Sequence, residues 1–464
     1  MNLKKCQIFT PNNTVVFMLD QIGYLDQVFG KRIVDNSCGD GQILIEVVKR
    51  FILDGIKQGK KCDQIKSALE KCIVGCDIDE ALVEKCINNL ESEANKFGIK
   101  QVLWNIKLCD GLYLEDDQFD FVVGNPPYVA YADLDKELRE TTKNNFASCR
   151  EGKFDYSYAF IEKGLNQLKE DGKMVIISPS NMFKAVFGNN LRELIKADLT
   201  HIIDCSELKI FETVLINPAI TVYHKGSESN VVIYKELQKN GKNIEKILDK
   251  INLNDKWNFT DYTQEGRRRF GDLFKVANSI ATLANKVFIH KVNSNGNLEI
   301  DIEDGILRIA KSPKSEQFDI KQKIIFPYYY ENGYLKKYSG EEMRNNFPKA
   351  LKFLETQRGL LEKRNSDSNA EWFQYGRSQA LSHLNCEKLL LSSIITKTVI
   401  IYKLSSEEIP CSGIFITAKK DVSLDSAALI LQTKRFYHYL VSKGIRVSGD
   451  SIRVSSKDIE DYKY

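Results

Sequence analysis

Hydrophobic positions in the first half of the chain fall into short, nearly continuous runs separated by amphipathic stretches. The runs IVDNS at 33–37, IVGCD at 73–77 and FDFVVGN at 119–125 end in acidic or small polar residues. Helix-like stretches at 41–53 and 80–97 follow the first two runs. Strands that are apolar throughout and alternate with helices are typical of parallel sheets covered on both faces. The pattern therefore predicts an α/β fold with a doubly wound, mostly parallel sheet.

Further runs extend this predicted sheet. They lie at 102–110 (VLWNIKLCD), 172–180 (GKMVIISPS), 201–206 (HIIDCS) and 219–225 (AITVYHK), and a helix-like stretch lies at 158–170. Together with the first three runs, they predict a seven-stranded sheet within about the first 225 residues.

The pattern changes in the middle of the chain. Residues 226–266 are rich in polar residues, and from 267 onward the alternation of strand and helix fades. Strand-like runs such as KIIFPYYY at 323–330 are mixed with charged helical stretches such as 341–364. We therefore expect a boundary near residue 245, with a first domain over 1–245 and an α+β domain over 246–464.

Composition excludes several classes of protein. The 464 residues are 43% hydrophobic and 28% charged with 9 prolines, which excludes disordered and collagen-like chains. No run approaches the ~20 apolar residues that cross a bilayer, and the first residues lack the apolar core of a signal peptide. The sequence predicts a soluble protein of the cytoplasm.

Charge is divided unevenly along the chain. Residues 1–250 carry 33 Lys and Arg against 37 Asp and Glu, a net charge of −4, whereas residues 251–464 carry 33 against 26, a net charge of +7. A basic module joined to an acidic one is typical of a protein that faces a polyanion, although the asymmetry alone is weak support.

Cysteine and histidine spacing gives no sign of a metal site. The 11 cysteines contain no C-x-x-C pair, which favours free thiols in a reducing compartment, and the 5 histidines form no H-E-x-x-H motif. We predict neither a structural nor a catalytic metal.

Polar residues lie at the ends of the predicted strands at 33–37, 73–77 and 102–110. Ligands of doubly wound sheets bind at such strand ends. The segment from Asp35 to Gly41 contains two glycines that let a ligand approach the backbone. Asp77 is placed to accept hydrogen bonds from both hydroxyls of a ribose. Asp110, before Gly111, is placed to accept a hydrogen bond from an adenine amino group. Asp77 lies further past Gly41 than the ~20 residues of the dinucleotide fingerprint, so dinucleotide binding is not well supported.

The fourth predicted strand ends in a more specific motif. Asn125, Pro126, Pro127 and Tyr128 follow directly after the buried run. Two prolines fix the backbone and remove two N–H donors, so the neighbouring carbonyls are presented as acceptors beside an amide oxygen and an aromatic ring. This arrangement favours a site that grips a planar amino group.

These motifs, in this order, resemble the gamma-class (Taq-type) N6-adenine-specific DNA methyltransferases of restriction-modification systems. The resemblance covers nearly the whole chain. It includes the segments Phe9-Thr10-Pro11, Asp35 to Gly41, Asn125 to Tyr128, Tyr158 to Lys163, Lys209-Ile210-Phe211, Gly271 to Val276 and Tyr375-Gly376-Arg377.

The resemblance implies roles for individual residues. It implies that S-adenosyl-L-methionine is bound by Thr10, Asp35, Ser37, Gly39, Asp77, Ile78, Asp110, Gly111 and Phe160. It implies that catalysis uses Asn125, Pro126, Pro127, Tyr128 and Phe211, and that the second domain recognises a DNA sequence. Within that domain, Tyr375 and Arg377 are the candidate DNA contacts; a structural ion pair is the alternative for Arg377.

The implied reaction transfers a methyl group to the N6 amino group of an adenine flipped out of double-stranded DNA. Two acceptors, the Asn125 side-chain oxygen and the Pro126 carbonyl, would localise the nitrogen lone pair. Tyr128 and Phe211 would stack on the extruded base. We expect a nucleoid-associated monomer without a fused nuclease, whose partners are double-stranded DNA and, in some systems, a separately encoded endonuclease.

Three alternatives stay open at this point. A protein glutamine N5-methyltransferase uses the same four residues on a planar amide, but such chains are typically short with their extra domain in front. An RNA base methyltransferase usually has a smaller appended domain. A catalytically inactive DNA-binding protein on this fold is disfavoured by intact Asp77, Asp110 and Asn125.

Overall fold

The computed structural model describes most of the chain. The described residues are 8–115, 118–211, 216–253, 256–260, 262, 264, 266–293, 298–314, 321–419, 422–448 and 451–464. Among them, no helix is both long and apolar enough to cross a membrane.

The chain divides into two compact units. The first comprises Met1–Phe259 with Arg446–Gly449, and the second comprises Thr260–Ile445 with Asp450–Tyr464. The division falls after Phe259 rather than near residue 245, because the strand Ile244–Asp249 and a buried Trp257, stacked on Phe183 at 5.6 Å between ring centroids, belong to the first unit.

The first unit is built on a nine-stranded sheet in the order β3-β2-β1-β4-β5-β7-β6-β8-β9. The strands are β1 Ile33–Asp35, β2 Ile73–Asp77, β3 Asn105–Leu108, β4 Phe119–Gly124, β5 Leu168–Pro179, β6 Leu199–Asp204, β7 Pro218–His224, β8 Val231–Glu236 and β9 Ile244–Asp249. Strands β1 to β5 are parallel to one another, whereas β7 is antiparallel to β5 and β6. The predicted doubly wound sheet is confirmed, and all seven predicted strands are present.

Helices cover both faces of this sheet. They are α1 Asn12–Gln21, α2 Gln42–Lys57, α3 Cys62–Cys72, α4 Glu80–Asn95, α5 Lys136–Asn145, α6 Ser157–Gln167 and α7 Asn189–Ile195. Two separate apolar cores result, one containing Leu44 and Phe51 of α2 and the other containing Phe160 and Ile161 of α6.

The turn before α2 depends on a glycine. Gly41 caps this helix with a left-handed φ of 86°, and a β-carbon added there would lie 2.8 Å from the Cys86 sulfur. Glycine alone adopts this conformation at little cost and leaves room for α4 to approach. The close contact sets the loop between β1 and α2 at a fixed position on the sheet edge.

The second unit is α+β, as predicted, and contains several small sheets. Its strands are β10 Phe274–Asn278, β11 Ile289–Lys291, β12 Leu307–Lys311, β13 Gln322–Ile325, β14 Tyr328–Glu331, β15 Tyr334–Lys337, β16 Lys388–Leu391, β17 Ile394–Thr396, β18 Ile401–Leu404, β19 Glu408–Pro410, β20 Ile414–Ala418 and β22 Ser451–Arg453; Ile445–Ser448 forms β21. Its helices are α8 Asn285–Phe288, α9 Gly340–Asn346, α10 Pro348–Thr356, α11 Arg358–Leu361, α12 Leu424–Leu431, α13 Lys434–Lys443 and α14 Ser456–Glu460.

Pairing in the second unit is mostly antiparallel. One four-stranded sheet has the order β10-β20-β16-β18 and another the order β11-β13-β12-β19, while β14 and β15 form a hairpin and β17 pairs with β22. Within the second of these sheets, β12 and β19 are parallel. Two apolar cores fill this unit, one around Phe288 and Tyr375 and one around Phe270 and Phe436.

Candidate active site

The candidate site lies at the carboxyl edge of the first sheet. Strand β1 pairs in parallel with β2 on one side and with β4 on the other, so the chain leaves β1 in one direction and returns beside it as β4. Ligands of doubly wound sheets bind at such a switch point. The residues that follow β1, β2, β3 and β4 are therefore brought to one edge.

A cleft of about 840 Å³, including its open mouth, occupies this edge. Twelve of the predicted site residues line it: Thr10, Asp35, Ser37, Gly39, Asp77, Ile78, Asp110, Gly111, Asn125, Pro126, Pro127 and Phe160. The cleft lining does not include Tyr128 or Phe211.

Asp77 joins two loops of the cleft. One carboxylate oxygen accepts from the Gly39 N–H at 3.0 Å, and the other accepts from the Asp79 N–H at 3.0 Å. Burial raises the pKa of the Asp77 carboxyl, while these backbone donors act in the opposite direction. A carboxylate oxygen accepts more than one hydrogen bond, so Asp77 keeps acceptor capacity toward the cleft.

Asp35 is the most deeply buried acid of the cleft, with 1% of its surface exposed. Its Oδ1 accepts from the Ser37 N–H at 3.0 Å, and burial raises the pKa of the carboxyl to about 7. The nearby Asp77 charge acts in the same direction. A buried acid without full compensation is a place where a bound cation is stabilised.

Asp110 and Gly111 form the wall after β3. The Asp110 Oδ1 accepts from the Leu112 N–H at 3.0 Å, and burial raises the pKa of this carboxyl. A β-carbon on Gly111 would lie 1.9 Å from the Asn36 carbonyl oxygen. Any side chain at 111 would push the loop after β1 away, so glycine is required by close packing.

Sequence reasoning missed two polar groups that line the cleft. The Asn36 Oδ1 and the Asp40 Oδ1 are buried and have no hydrogen-bond partner within the described structure. The amide of Asn36 is held from its other end, since Nδ2 donates to Gln167 at 2.6 Å. Buried unpaired acceptors point to a ligand that donates hydrogen bonds. Their position between Asp35 and Gly41 is the signal that could have identified them.

Aromatic rings line another part of the cleft. Phe160 of α6 is 7% exposed, and its ring contacts Tyr156 edge to face at 5.6 Å. Tyr156 also lines the cleft and was not predicted. Ile78 also lines the cleft, and its side chain is 44% exposed. The cleft therefore offers apolar surfaces beside the acceptors of Asp77 and Asp110.

Asn125 is held at both ends of its side chain. Its Nδ2 donates to the Ile8 carbonyl at 2.8 Å and to the Thr10 Oγ1 at 3.0 Å. Its Oδ1 accepts from the Tyr128 hydroxyl at 2.5 Å, and its backbone carbonyl accepts from the Ser37 Oγ at 3.4 Å. An amide oxygen has two lone pairs, so one remains for a further donor.

Tyr128 and Phe211 lie together beside this amide. The Tyr128 hydroxyl is also within 3.0 Å of the Ile177 carbonyl of β5, and burial raises the pKa of the phenol. The two rings meet edge to face at 6.4 Å, and Phe211 is 4% exposed. Tyr128 thus contacts Asn125, whereas Phe211 contacts Tyr128 and in this arrangement presents little surface to a ligand.

The two candidate DNA contacts in the second unit have different surroundings. Tyr375 is 1% exposed, and its hydroxyl donates to the Ile325 carbonyl at 2.7 Å. This ring belongs to the core, so the expectation that Tyr375 contacts DNA is wrong. Arg377 is half-buried and pairs with Asp367 at 3.2 Å, which is the structural ion pair given as its alternative.

Strand order, acidic strand ends and the Asn-Pro-Pro-Tyr turn together define an α/β unit with a polar cleft at the carboxyl edge of its sheet. Residues 56–211, which span much of this unit, match the family described as Eco57I restriction-modification methylase. This part of the chain is thus similar in sequence to restriction-modification methylases.

Individual relatives agree with this family. The type II restriction enzyme and methyltransferase RM.Eco57I of Escherichia coli is 24% identical, with 80% of this chain and 46% of that protein covered. The type II methyltransferase M.XhoI of Xanthomonas vasicola is 25% identical over 47% of this chain and 42% of that protein. The chain spans about half the length of the curated relatives it matches.

A solved structure shows the same fold over nearly the whole chain. The type IIL restriction-modification enzyme MmeI, determined in complex with DNA, superposes with a TM-score of 0.64 at 12% identity, covering 97% of this chain and 64% of MmeI. The likeness covers residues of both units and is a likeness of fold.

Proposed function

We propose that the protein transfers a methyl group from S-adenosyl-L-methionine to the N6 amino group of an adenine in a specific double-stranded DNA sequence. The observation that carries this proposal is the convergence of Asn125 and Pro126 with Asp77, Asp110 and Phe160 on one cleft. A methyl donor and a planar amino group held at the two sides of β1 would meet there. The family match of residues 56–211 supports the restriction-modification context.

The residues of the cleft fit the proposed cofactor. Asp77 would accept from the ribose hydroxyls, Asp110 from the adenine amino group, and Phe160 would pack on the adenine ring. Asp35 and the unpaired Asn36 oxygen offer acceptors for the cationic methionine end. When bound, the cofactor supplies an electrophilic methyl group on a sulfonium.

Asn125 and Pro126 would prepare the amino group for reaction. The N6 lone pair is delocalised into the ring, and two acceptors placed on its hydrogens localise it and stabilise the positive charge that develops. The hydrogen bonds from Asn125 Nδ2 to the Ile8 carbonyl and the Thr10 hydroxyl fix the orientation of the amide, so that its oxygen points away from these two acceptors. The Tyr128 hydroxyl uses one lone pair of that oxygen and leaves the other for the substrate.

The target base must leave the duplex to reach this position. Extrusion costs a few kcal/mol, which stacking on aromatic side chains offsets. Tyr128 is the ring beside the amide, and Phe211 lies against Tyr128. Because Phe211 is 4% exposed, its stacking on a base requires a shift of this ring toward the cleft.

The second unit would supply DNA recognition. Residues 251–464 carry the net charge of +7 derived above, and phosphate contacts by Lys and Arg dominate affinity for duplexes. We further propose that the protein acts as a monomer and that a separate endonuclease completes a restriction-modification system. Light scattering of the purified protein with and without DNA tests the monomer.

A methyl-transfer assay tests the activity. The purified protein is incubated with isotope-labelled S-adenosyl-L-methionine and, separately, with duplex DNA free of adenine methylation, with RNA and with a glutamine-containing peptide. We expect labelled N6-methyladenine from DNA alone, detected by mass spectrometry of nucleosides. Sequencing of the methylated DNA then gives the recognition site. Label in the peptide or the RNA and none in DNA would contradict the proposal.

A further inference from the structure

An exposed apolar turn lies in the segment that follows β5. Val186 and Phe187 form part of the short helical turn Val186–Gly188, and their side chains are 61% and 44% exposed. We call Val186 and Phe187 the apolar tip. Adjacent exposed apolar side chains are candidates for an interaction surface, whereas a single exposed apolar side chain is ordinary.

The apolar tip belongs to the same sheet edge as the candidate active site. Strand β5 is parallel to β4, so the carboxyl ends of both strands lie on one edge. The Tyr128 hydroxyl contacts the Ile177 carbonyl near the end of β5 at 3.0 Å. The tip follows in the loop that begins where this strand ends, at Pro179.

The loop that carries the tip is held from inside. Arg192 is 1% exposed, and its Nη1 donates to the Met182 carbonyl at 2.6 Å and the Ala185 carbonyl at 2.9 Å. A β-carbon on Gly188 would lie 2.7 Å from both Arg192 Nη1 and the Met182 oxygen. The exposed side chains therefore project from a loop that is fixed on both sides of them.

A second bend supports Phe187 and adds charge. Gly152 has a left-handed φ of 70°, and a β-carbon there would lie 1.9 Å from the Phe187 ring. The ring thus lies directly on this glycine, which brings the bend around residue 152 beside the tip. Arg150 and Lys153 on this bend are exposed, as is the intervening Glu151.

We propose that the apolar tip inserts into duplex DNA at the target step and occupies the space that the extruded adenine leaves. This inference rests on the proposed function. An apolar wedge complements the base stack, as in proteins that unstack base steps with apolar side chains such as Phe and Leu, and the two adjacent cations complement the flanking phosphates. A fixed loop suits this role because a wedge that bends away cannot keep the stack open.

A double variant of the tip tests the proposal. Single-turnover methylation by Val186→Ala/Phe187→Ala is measured on two duplexes that contain the site found by sequencing. They differ only opposite the target adenine, where one carries thymine and the other an abasic site. Weak pairing lowers the cost of extrusion. We expect the rate on the paired duplex to fall about tenfold or more and to return to within about twofold of wild type on the abasic duplex.

The matched control is Leu25→Ala, which removes another apolar side chain of the first unit that is 54% exposed. It should leave both rates unchanged. An equal loss of methylation rate on the two duplexes, or no loss on either, overturns the proposed wedge. Thermal unfolding shows whether the double variant folds. If it does not, the single variant Val186→Ala, which keeps Phe187 on Gly152, is tested on the same duplexes. Absence of methylation by the wild type would instead contradict the proposed function.

The cations are tested by salt dependence. Arg150→Gln and Lys153→Gln should each reduce the slope of log affinity against log salt by about 0.9, the value for one phosphate contact on duplex DNA. Lys100→Gln, on an exposed part of the same unit, should leave the slope unchanged. Wild-type slopes in both Arg150→Gln and Lys153→Gln would overturn the proposed phosphate contacts.

Discussion

Burial disfavours the charged form of side chains in both units, but the charge is compensated differently in each. In the cleft of the first unit, burial raises the pKa of Asp35, Asp77 and Asp110, so ionising these acids costs folding free energy. In the second unit, Arg364 donates to the carbonyls of Leu361, Thr282, Trp372 and Gln374. The charged guanidinium there is surrounded by acceptors that hold three chain segments together.

This difference separates residues kept for binding from residues kept for folding. Incompletely compensated acids are tolerated where a ligand supplies the missing partner, and clusters of shifted pKa are typical of functional sites. A cation with four hydrogen bonds to backbone carbonyls stabilises the fold without a ligand. We therefore expect substitutions in the cleft to reduce activity with little loss of stability, and substitutions at Arg364 to do the reverse.

The largest expected effect is on turnover by Asn125→Ala. Loss of one acceptor for the developing charge should lower kcat by about 10² to 10³-fold, as removal of a preorganised group in other active sites does. DNA and cofactor affinity should stay near wild type, since the interaction acts mainly in the transition state. The matched control is Asn144→Ala on the exposed face of α5. A variant with normal kcat would remove Asn125 from the mechanism.

Asp35 should make the cleft sensitive to pH. The folded-state pKa of about 7 lies above the reference value of 3.8, so the folded protein holds the proton more tightly than the unfolded chain. The free energy of unfolding of the ligand-free protein should therefore fall as pH rises from about 4 to about 7, by about 3 kcal/mol.

The variant Asp35→Asn isolates this contribution. It should be more stable than wild type at pH 8, and the difference should vanish near pH 4. Urea denaturation at the two pH values measures it. Equal stability of the two proteins at both pH values would show that Asp35 is not a destabilising acid, and the contrast between the units would lose its main support.

Arg364→Ala should destabilise the second unit by about 3 kcal/mol, because several buried carbonyls lose a charged donor. Hydrogen exchange of peptides from residues 280–384, with denaturant titration, measures the loss where it occurs. Arg358→Ala is the control, since Arg358 is exposed and bonded to Glu362. Faster exchange in the control and not in Arg364→Ala would argue against a folding role for Arg364.

Asp77→Ala and Asp110→Ala should each weaken S-adenosyl-L-methionine binding by about 1 to 3 kcal/mol, the range for hydrogen bonds to a charged group. Titration calorimetry measures the change, and Asp63→Ala on the exposed start of α3 serves as the control. Wild-type affinity in both variants would mean that the strand ends do not bind the cofactor.

The smallest effect is expected at Arg377. Its guanidinium pairs with Asp367, whose pKa is lowered mainly by the hydrogen bond from the Ser378 N–H. If the ion pair is only structural, the Arg377→Ala and Asp367→Ala variants should both bind the cognate duplex with near wild-type affinity. If Arg377 contacts a base, Arg377→Ala alone should weaken binding to the cognate duplex by about tenfold and should have little effect on binding to random DNA. Fluorescence anisotropy with both duplexes distinguishes the two.

Sequence reasoning predicted the cleft far better than the second unit, for a physical reason. Parallel strands share one carboxyl edge, so residues at strand ends such as Asp35, Asp77 and Asn125 converge wherever the sheet forms. Small antiparallel sheets have no common edge. The motif around Tyr375 therefore gave no indication that its ring lies in the core.

Other features depended on contacts that no local pattern contains. The Ile8 carbonyl that holds the Asn125 amide is distant in sequence. Strands β8 and β9 lie inside the polar stretch 226–266, and β9 has no buried position that would mark it as a strand of the sheet.

The pairing of β1 with β4 divides the site into two contributions from successive parts of the chain. Apart from Phe160, the residues proposed for cofactor binding come from positions up to 111, and the groups proposed to handle the base come from 125 to 211. The two parts meet along β1 and β4 and through the hydrogen bonds that join Asn125 to Ile8, Thr10 and Ser37. Substitutions that alter the methyl acceptor can therefore accumulate in the later part as long as Asn125 and Phe160 are kept. Such a division allows one methyl-donor half to be combined, during evolution or by design, with acceptor halves for different amino groups.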